Sequence, residues 1–66
     1  MRMIVDYAGN RYESEYISDS FEDLRKDVGD FLSSDPLGAF TMRLDDGRLL
    51  VLGPLAISSA SIIIAE

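Results

Sequence analysis

Ala39-Phe40-Thr41-Met42-Arg43-Leu44-Asp45-Asp46-Gly47-Arg48-Leu49-Leu50-Val51-Leu52 reads as two short strands around a turn. Asp46-Gly47 is a type I′ turn pair, because both central residues of that turn need positive φ and Gly and Asp tolerate it best. A two-residue loop there sets Leu44 opposite Leu49 and Met42 opposite Val51, with Phe40 on the same face. That face is expected to meet a helix. Thr41, Arg43, Leu50 and Leu52 then point outward. Two outward leucines are more than a tiny monomer normally shows in one place.

Upstream, Met1 to Tyr7 alternates, with Met3, Val5 and Tyr7 on one face. Gly9-Asn10 is a second two-residue turn signal. It pairs Tyr7 with Tyr12, Val5 with Ser14 and Met3 with Tyr16, which gathers the tyrosines on one face but sets Asp6 opposite Glu13. A three-residue loop, Ala8-Gly9-Asn10, would place Val5 opposite Glu13 and scatter the tyrosines, so the first register is preferred. Ser20 caps a helix, with Asp23 at the third helical position. Phe21, Leu24, Val28, Phe31 and Leu32 form its apolar stripe, and Glu22, Asp23, Lys26, Asp27 and Asp30 lie opposite. Glu22 and Lys26 are spaced for an i,i+4 ion pair. Gly29 either admits a close strand or marks early fraying. Ser33-Ser34-Asp35-Pro36 ends the helix, because the residue before Pro avoids the α region.

Downstream, Gly53-Pro54 breaks the strand, and Leu55 to Ala60 is a connector with room for a short helical turn. Ser61 to Glu66 carries Ile62-Ile63-Ile64, apolar on both faces, and a strand of that kind is usually central or covered on both sides. The order is β-β-α-β-β-β. The expectation is a single α+β domain over residues 1–66, with an antiparallel or mixed sheet and one helix packed on one face.

A chain of 66 residues buries only about 60% of the surface its unfolded form exposes. Chains this small usually need a disulfide, a metal or a second subunit. Cys and His are both absent, which removes disulfides, thiolate sites and the commonest metal ligand. Self-association is left, so a homodimer is expected, with Leu50, Leu52, Ile62, Ile63 and Ile64 as its candidate residues.

Six basic residues against twelve acidic ones give a net charge of −6, which opposes nucleic acid and anionic membranes. Leu49 to Ala65 carries no charge, yet Gly53-Pro54 splits it and Ser58, Ser59 and Ser61 interrupt it. It reads as buried strands and a loop instead of a membrane span. With no export signal in the sequence, a cytoplasmic location is expected.

No catalytic, cofactor-binding or metal-ligating residues are expected. Nucleophilic catalysis lacks a His base, and Lys26, the only lysine, falls on the solvent side of its helix. Asp46 is explained by its turn, with Asp45 set against Arg48, while Asp19, Glu22 and Asp23 suit a helix N-terminus. The tyrosines Tyr7, Tyr12 and Tyr16 would make a stacking platform, but no positive groove supports them for nucleic acid, and such residues more often line a core edge or a protein interface.

The first expectation for function is therefore a non-enzymatic, acidic protein-binding module. Candidate partner-binding residues are Tyr7, Tyr12, Tyr16, Glu22, Asp23, Asp27 and Asp30. The second is a nucleic-acid mimic built on the acidic helix. The third is a sponge for a small anionic nucleotide, held by Arg2, Arg11, Arg43 and Arg48.

The N-terminal hairpin, the Ser20-Phe21-Glu22-Asp23-Leu24 helix start, Phe40-Thr41-x-x-Leu44-x-Asp46-Gly47-Arg48, and Ala56-Ile57 before an Ile-rich strand span the chain. Together they resemble small orphan proteins of bacteriophages and other mobile elements. The resemblance implies an inhibitor of a bacterial host protein, including components of immunity, acting in the host cytoplasm. It carries over no functional residue, because no family motif is matched.

Overall fold

The computed structural model describes residues 1–66, with β1 at Arg2–Tyr7, β2 at Asn10–Glu13, α1 at Phe21–Leu32, β3 at Phe40–Arg43, β4 at Leu49–Leu52, α2 at Pro54–Ser58 and β5 at Ser61–Ala65. The fold is α+β. Its five strands form two antiparallel sheets, one in the order β2-β1-β5 and the other β3-β4. The expected ββαβββ order holds, with the short α2 set into the connector after Gly53. A Cα radius of gyration of 11.3 Å is close to the ~11 Å of a packed unit of this length.

Both hairpin registers differ from the expectation. In the first, the turn is Ala8-Gly9, with φ of 52° and 81°, so Tyr7 pairs with Asn10, Val5 with Tyr12 and Ile4 with Glu13. This slides the strands by two residues and keeps the faces. It replaces the repulsive Asp6–Glu13 opposition by Asp6 opposite Arg11, joined at 2.9 Å. The gain comes with a non-glycine residue, Ala8, in the left-handed region.

In the second hairpin the slip is one residue, which moves every side chain to the other face. Phe40 pairs with Leu52 and Met42 with Leu50. Only Gly47, at φ 90°, takes positive φ, and the Asp46 carboxylate accepts the Arg48 backbone N–H at 3.0 Å. The loop is therefore Asp45-Asp46-Gly47, closed by the Leu44 N–H donating to the Arg48 carbonyl at 2.8 Å. Leu52 is buried and Leu50 half-buried, while Leu49 and Val51 face solvent. The outward pair of leucines expected at 50 and 52 is thus corrected to Leu49 and Val51.

The helix forms as its stripe and cap predict. The Ser20 hydroxyl accepts the Asp23 N–H at 3.2 Å, and Leu24, Val28 and Phe31 turn inward. Phe21 and Leu32, at the ends of the stripe, stay exposed. Lys26 reaches forward to Asp30 at 2.7 Å, not back to Glu22, which Arg25 takes at 3.2 Å. Gly29 borders open space, so it admits no close strand. The core gathers Met3, Val5, Leu24, Phe40, Met42, Leu44, Leu52 and Ile57, with Phe31 edge-on to Phe40 at 5.8 Å between ring centres.

Two further features set the surface. The sheets meet at one bridge, Ser14 opposite Leu44, where Glu15 N–H donates to the Arg43 carbonyl and Asp45 N–H to the Glu13 carbonyl. And β5, expected to be either central or covered on both sides by a partner, is an edge strand; β1 is the central strand of its sheet. The inward face of β5 packs Ile62 and Ile64 against the core, and Ile63 on the other face is exposed.

Candidate functional site

The acidic helix face was the first candidate surface. Glu22, Asp23, Asp27 and Asp30 are all exposed. Glu22 and Asp30 are tied to Arg25 and Lys26, and the carboxylate of Asp30 holds the Lys26 ammonium above its ordinary pKa. Asp27 is set differently. It stands at the rim of an open cleft of about 240 Å³ between α1 and β3, whose apolar wall includes Leu24, Val28, Phe31 and Phe40. The helix period produces this arrangement, because position 27 lies beside the stripe and 24, 28 and 31 lie within it.

The tyrosines do not assemble. Tyr7 and Tyr12 are half-buried against the core. Tyr16 is 72% exposed and lies past the end of β2, where the Ile17 N–H donates to the Met1 carbonyl. Tyr7 is at the other end of β1, roughly 20 Å away by strand rise. The stacking platform is corrected to one free tyrosine, which borders a second depression shared with Ile17, Thr41 and Arg43.

The arginines are also occupied. Arg2 meets Asp45 at 3.2 Å, Arg11 meets Asp6, Arg43 lies 3.9 Å from Glu15, and Arg48 meets Asp46 at 2.7 Å. The expected Asp45–Arg48 cross-strand pair is replaced by Asp45–Arg2 and Asp46–Arg48. Bonding to the Arg11 guanidinium holds the Asp6 carboxyl below the ordinary carboxylate range. The Arg48 backbone N–H does the same to Asp46.

Among the proposed self-association residues, Leu52 is in the core, and Leu50, Ile62 and Ile64 pack against it. Only Ile63 turns its side chain out, at 42% exposure, next to Ile4 on the outer face of the sheet. Sequence reasoning missed Leu49 and Val51, which are 59% and 56% exposed. The Gly at the third loop position, with two aspartates before it, was the available signal for the longer loop. Leu55, 88% exposed on α2, completes the set. All of these lie in the charge-free stretch from Leu49 to Ala65.

The chain matches no protein-family model, no curated protein and no solved structure. No helix is long and apolar enough to cross a membrane.

Proposed function

We propose that this chain is a non-catalytic protein-binding module that acts by occupying a partner's surface, the partner being a bacterial host protein met by a phage or other mobile element in the host cytoplasm. One observation carries the reading. Leu49, Val51, Leu55 and Ile63 stand in solvent within one uncharged stretch, although the fold already buries a core of eight apolar residues. Exposed apolar surface of this kind favours association. The carboxylates are solvated, and six of the twelve are paired with Arg or Lys, an environment that suits solubility more than proton transfer.

A mimic of nucleic acid is the weaker reading, because Arg25 and Lys26 already neutralise part of the helix track. A nucleotide sponge is weaker again, with every arginine it needs engaged by a carboxylate.

The test is capture from bacterial lysate at low and high salt, with wild type and a Leu49→Asp/Leu55→Asp variant whose circular dichroism is unchanged. An apolar contact keeps one host protein at high salt and loses it in the variant. Capture that disappears with salt supports the mimic instead, and a nucleotide extracted without protein supports the sponge.

A further inference from the structure

The backbone of β1 shows which way β5 spends its hydrogen bonds. Met3 directs both its groups toward β2: its carbonyl accepts from the Ser14 N–H at 2.9 Å and its N–H donates to the Ser14 hydroxyl at 2.8 Å. In an antiparallel ladder, alternate residues face alternate neighbours. Arg2, Ile4 and Asp6 therefore bond to Ala65, Ile63 and Ser61, their partners on β5. The N–H and C=O groups of Ile62 and Ile64 point the other way, out of the sheet. No turn, loop or side-chain hydrogen bond reaches them.

Free edges are normally protected by charge, proline or a bulge, and Ser61–Ala65 contains no charge and no proline. Of the other edge strands, β2 carries Arg11 and Glu13, β3 carries Arg43, and β4 has Arg48 before it and Gly53-Pro54 after it, with α2 folded back against it.

We propose that β5 pairs with β5 of a second copy, antiparallel about a two-fold axis at Ile63, so that two three-stranded sheets become one of six strands. The proposal goes beyond the reading of the chain as a binding module and takes up the homodimer expected from the sequence. Self-complementarity selects a second copy as the occupant. In this register Ile62 faces the partner's Ile64 with both outward groups of each matched, and Ile63 faces its own equivalent across the closer, non-bonded position. The outer face gains a continuous strip from Ile4 and Ile63 of one copy to those of the other, and the inner face gains Ile62–Ile64 pairs. Cross-strand pairs of β-branched residues stabilise such a ladder.

Charge selects the direction. Glu66, the one charge beside the strand, falls opposite Ala60 of the other copy. The two Glu66 residues are then about 20 Å apart along the strands, beyond a Debye length of roughly 8 Å. Parallel pairing would set them together.

The test uses the purified full chain. Sedimentation equilibrium over rising concentration should show mass climbing from the 7.3 kDa monomer to twice that value. Ile63→Lys should weaken dimerisation on the order of a hundredfold, because each copy loses the Ile that faces its own equivalent and gains a facing like charge. A synthetic chain N-methylated at Ile64 should also be monomeric, since it loses an outward donor and keeps every bond to β1. Hydrogen exchange gives the register directly. The Ile63 amide should be protected at all concentrations, and the Ile62 and Ile64 amides only where the dimer is populated.

A wild type that stays monomeric at millimolar concentration overturns the interface, as does a dimer that survives both changes or that protects Ile62 and Ile64 no better than the monomer does. Pairing of β5 with a strand of a captured host protein, in a chain that never dimerises, also overturns it. Those results leave capture through Leu49 and Leu55 standing. Loss of capture with the dimer intact removes the proposed function instead.

Discussion

The Ser14 hydroxyl accepts the backbone N–H of Met3 at 2.8 Å and donates to the Glu15 carbonyl at 2.9 Å, and Ser14 is only 1% exposed. One side chain thus replaces a backbone acceptor where β2 leaves its ladder, at the residue that bridges to Leu44. Ser14→Ala leaves the Met3 N–H buried without a partner, at a cost of about 1–3 kcal/mol. Urea unfolding should show a lower midpoint with an unchanged slope.

Leu49 and Leu52 give a clean contrast, because the register of β3 and β4 puts them on opposite faces. Leu52→Ala should cost about 2–5 kcal/mol, most of the stability of a domain this size. Leu49→Ser should stay within about 0.5 kcal/mol. A two-residue Asp46-Gly47 turn would reverse the order, so thermal melts of the two variants distinguish the registers.

Ala8 and Gly29 each sit in the other's preferred place. Ala8 holds φ at 52°, whereas Gly29 lies in mid-helix with open space where a Cβ would be. Gly29→Ala should stabilise by about 0.5–1 kcal/mol. Ala8→Gly should add a similar amount, roughly 0.5–1 kcal/mol, as relief of left-handed strain exceeds the extra freedom of the unfolded chain. Denaturant midpoints should rise for each variant, and additively for the pair, since a Cβ at position 29 meets no neighbour that could couple the two sites.

Acid should unfold the protein partly through Asp6 and Asp46. Both carboxyls are held below the ordinary value of 3.8, so their contribution is complete above that pH. It is lost as pH falls through 3.8 toward their folded pKa values, because the unfolded chain takes up the protons first. Stability measured from pH 6 downward should decline in that window, and the decline should be shallower in Asp6→Asn/Asp46→Asn.

Local chemistry made much of the fold legible. Ser20 as cap, the stripe from Leu24 to Phe31 and Pro36 after the helix are each decided by neighbours in sequence. Both registers depended on something further away. The first turned on which charge would face Asp6, and the second on whether Asp46 would take positive φ or capture the Arg48 N–H. A single-residue slip then exchanged Leu50 and Leu52 for Leu49 and Val51 at the surface. The tyrosine platform failed for a related reason, since Tyr16 follows the departure of the chain toward β3 and leaves the hairpin. The apolar run at Ile62–Ile64 was visible, but not its position at an edge, because strand order is a tertiary choice.

The Arg2–Ala65 pairing has a consequence for synthesis. Because β1 precedes β5 in the chain, it leaves the ribosome earlier and waits for β5 before its second side is covered. Until residues 61–65 emerge, the ladder groups of Arg2, Ile4 and Asp6 have no partner, although the β3–β4 hairpin is already able to close. Closing a chain segment of that span is entropically slow compared with forming a hairpin. The nascent chain therefore passes through a stage in which β1, later the most enclosed strand of its sheet, is its open margin, and the same stretch that later offers an edge to others is the one that ends this exposure.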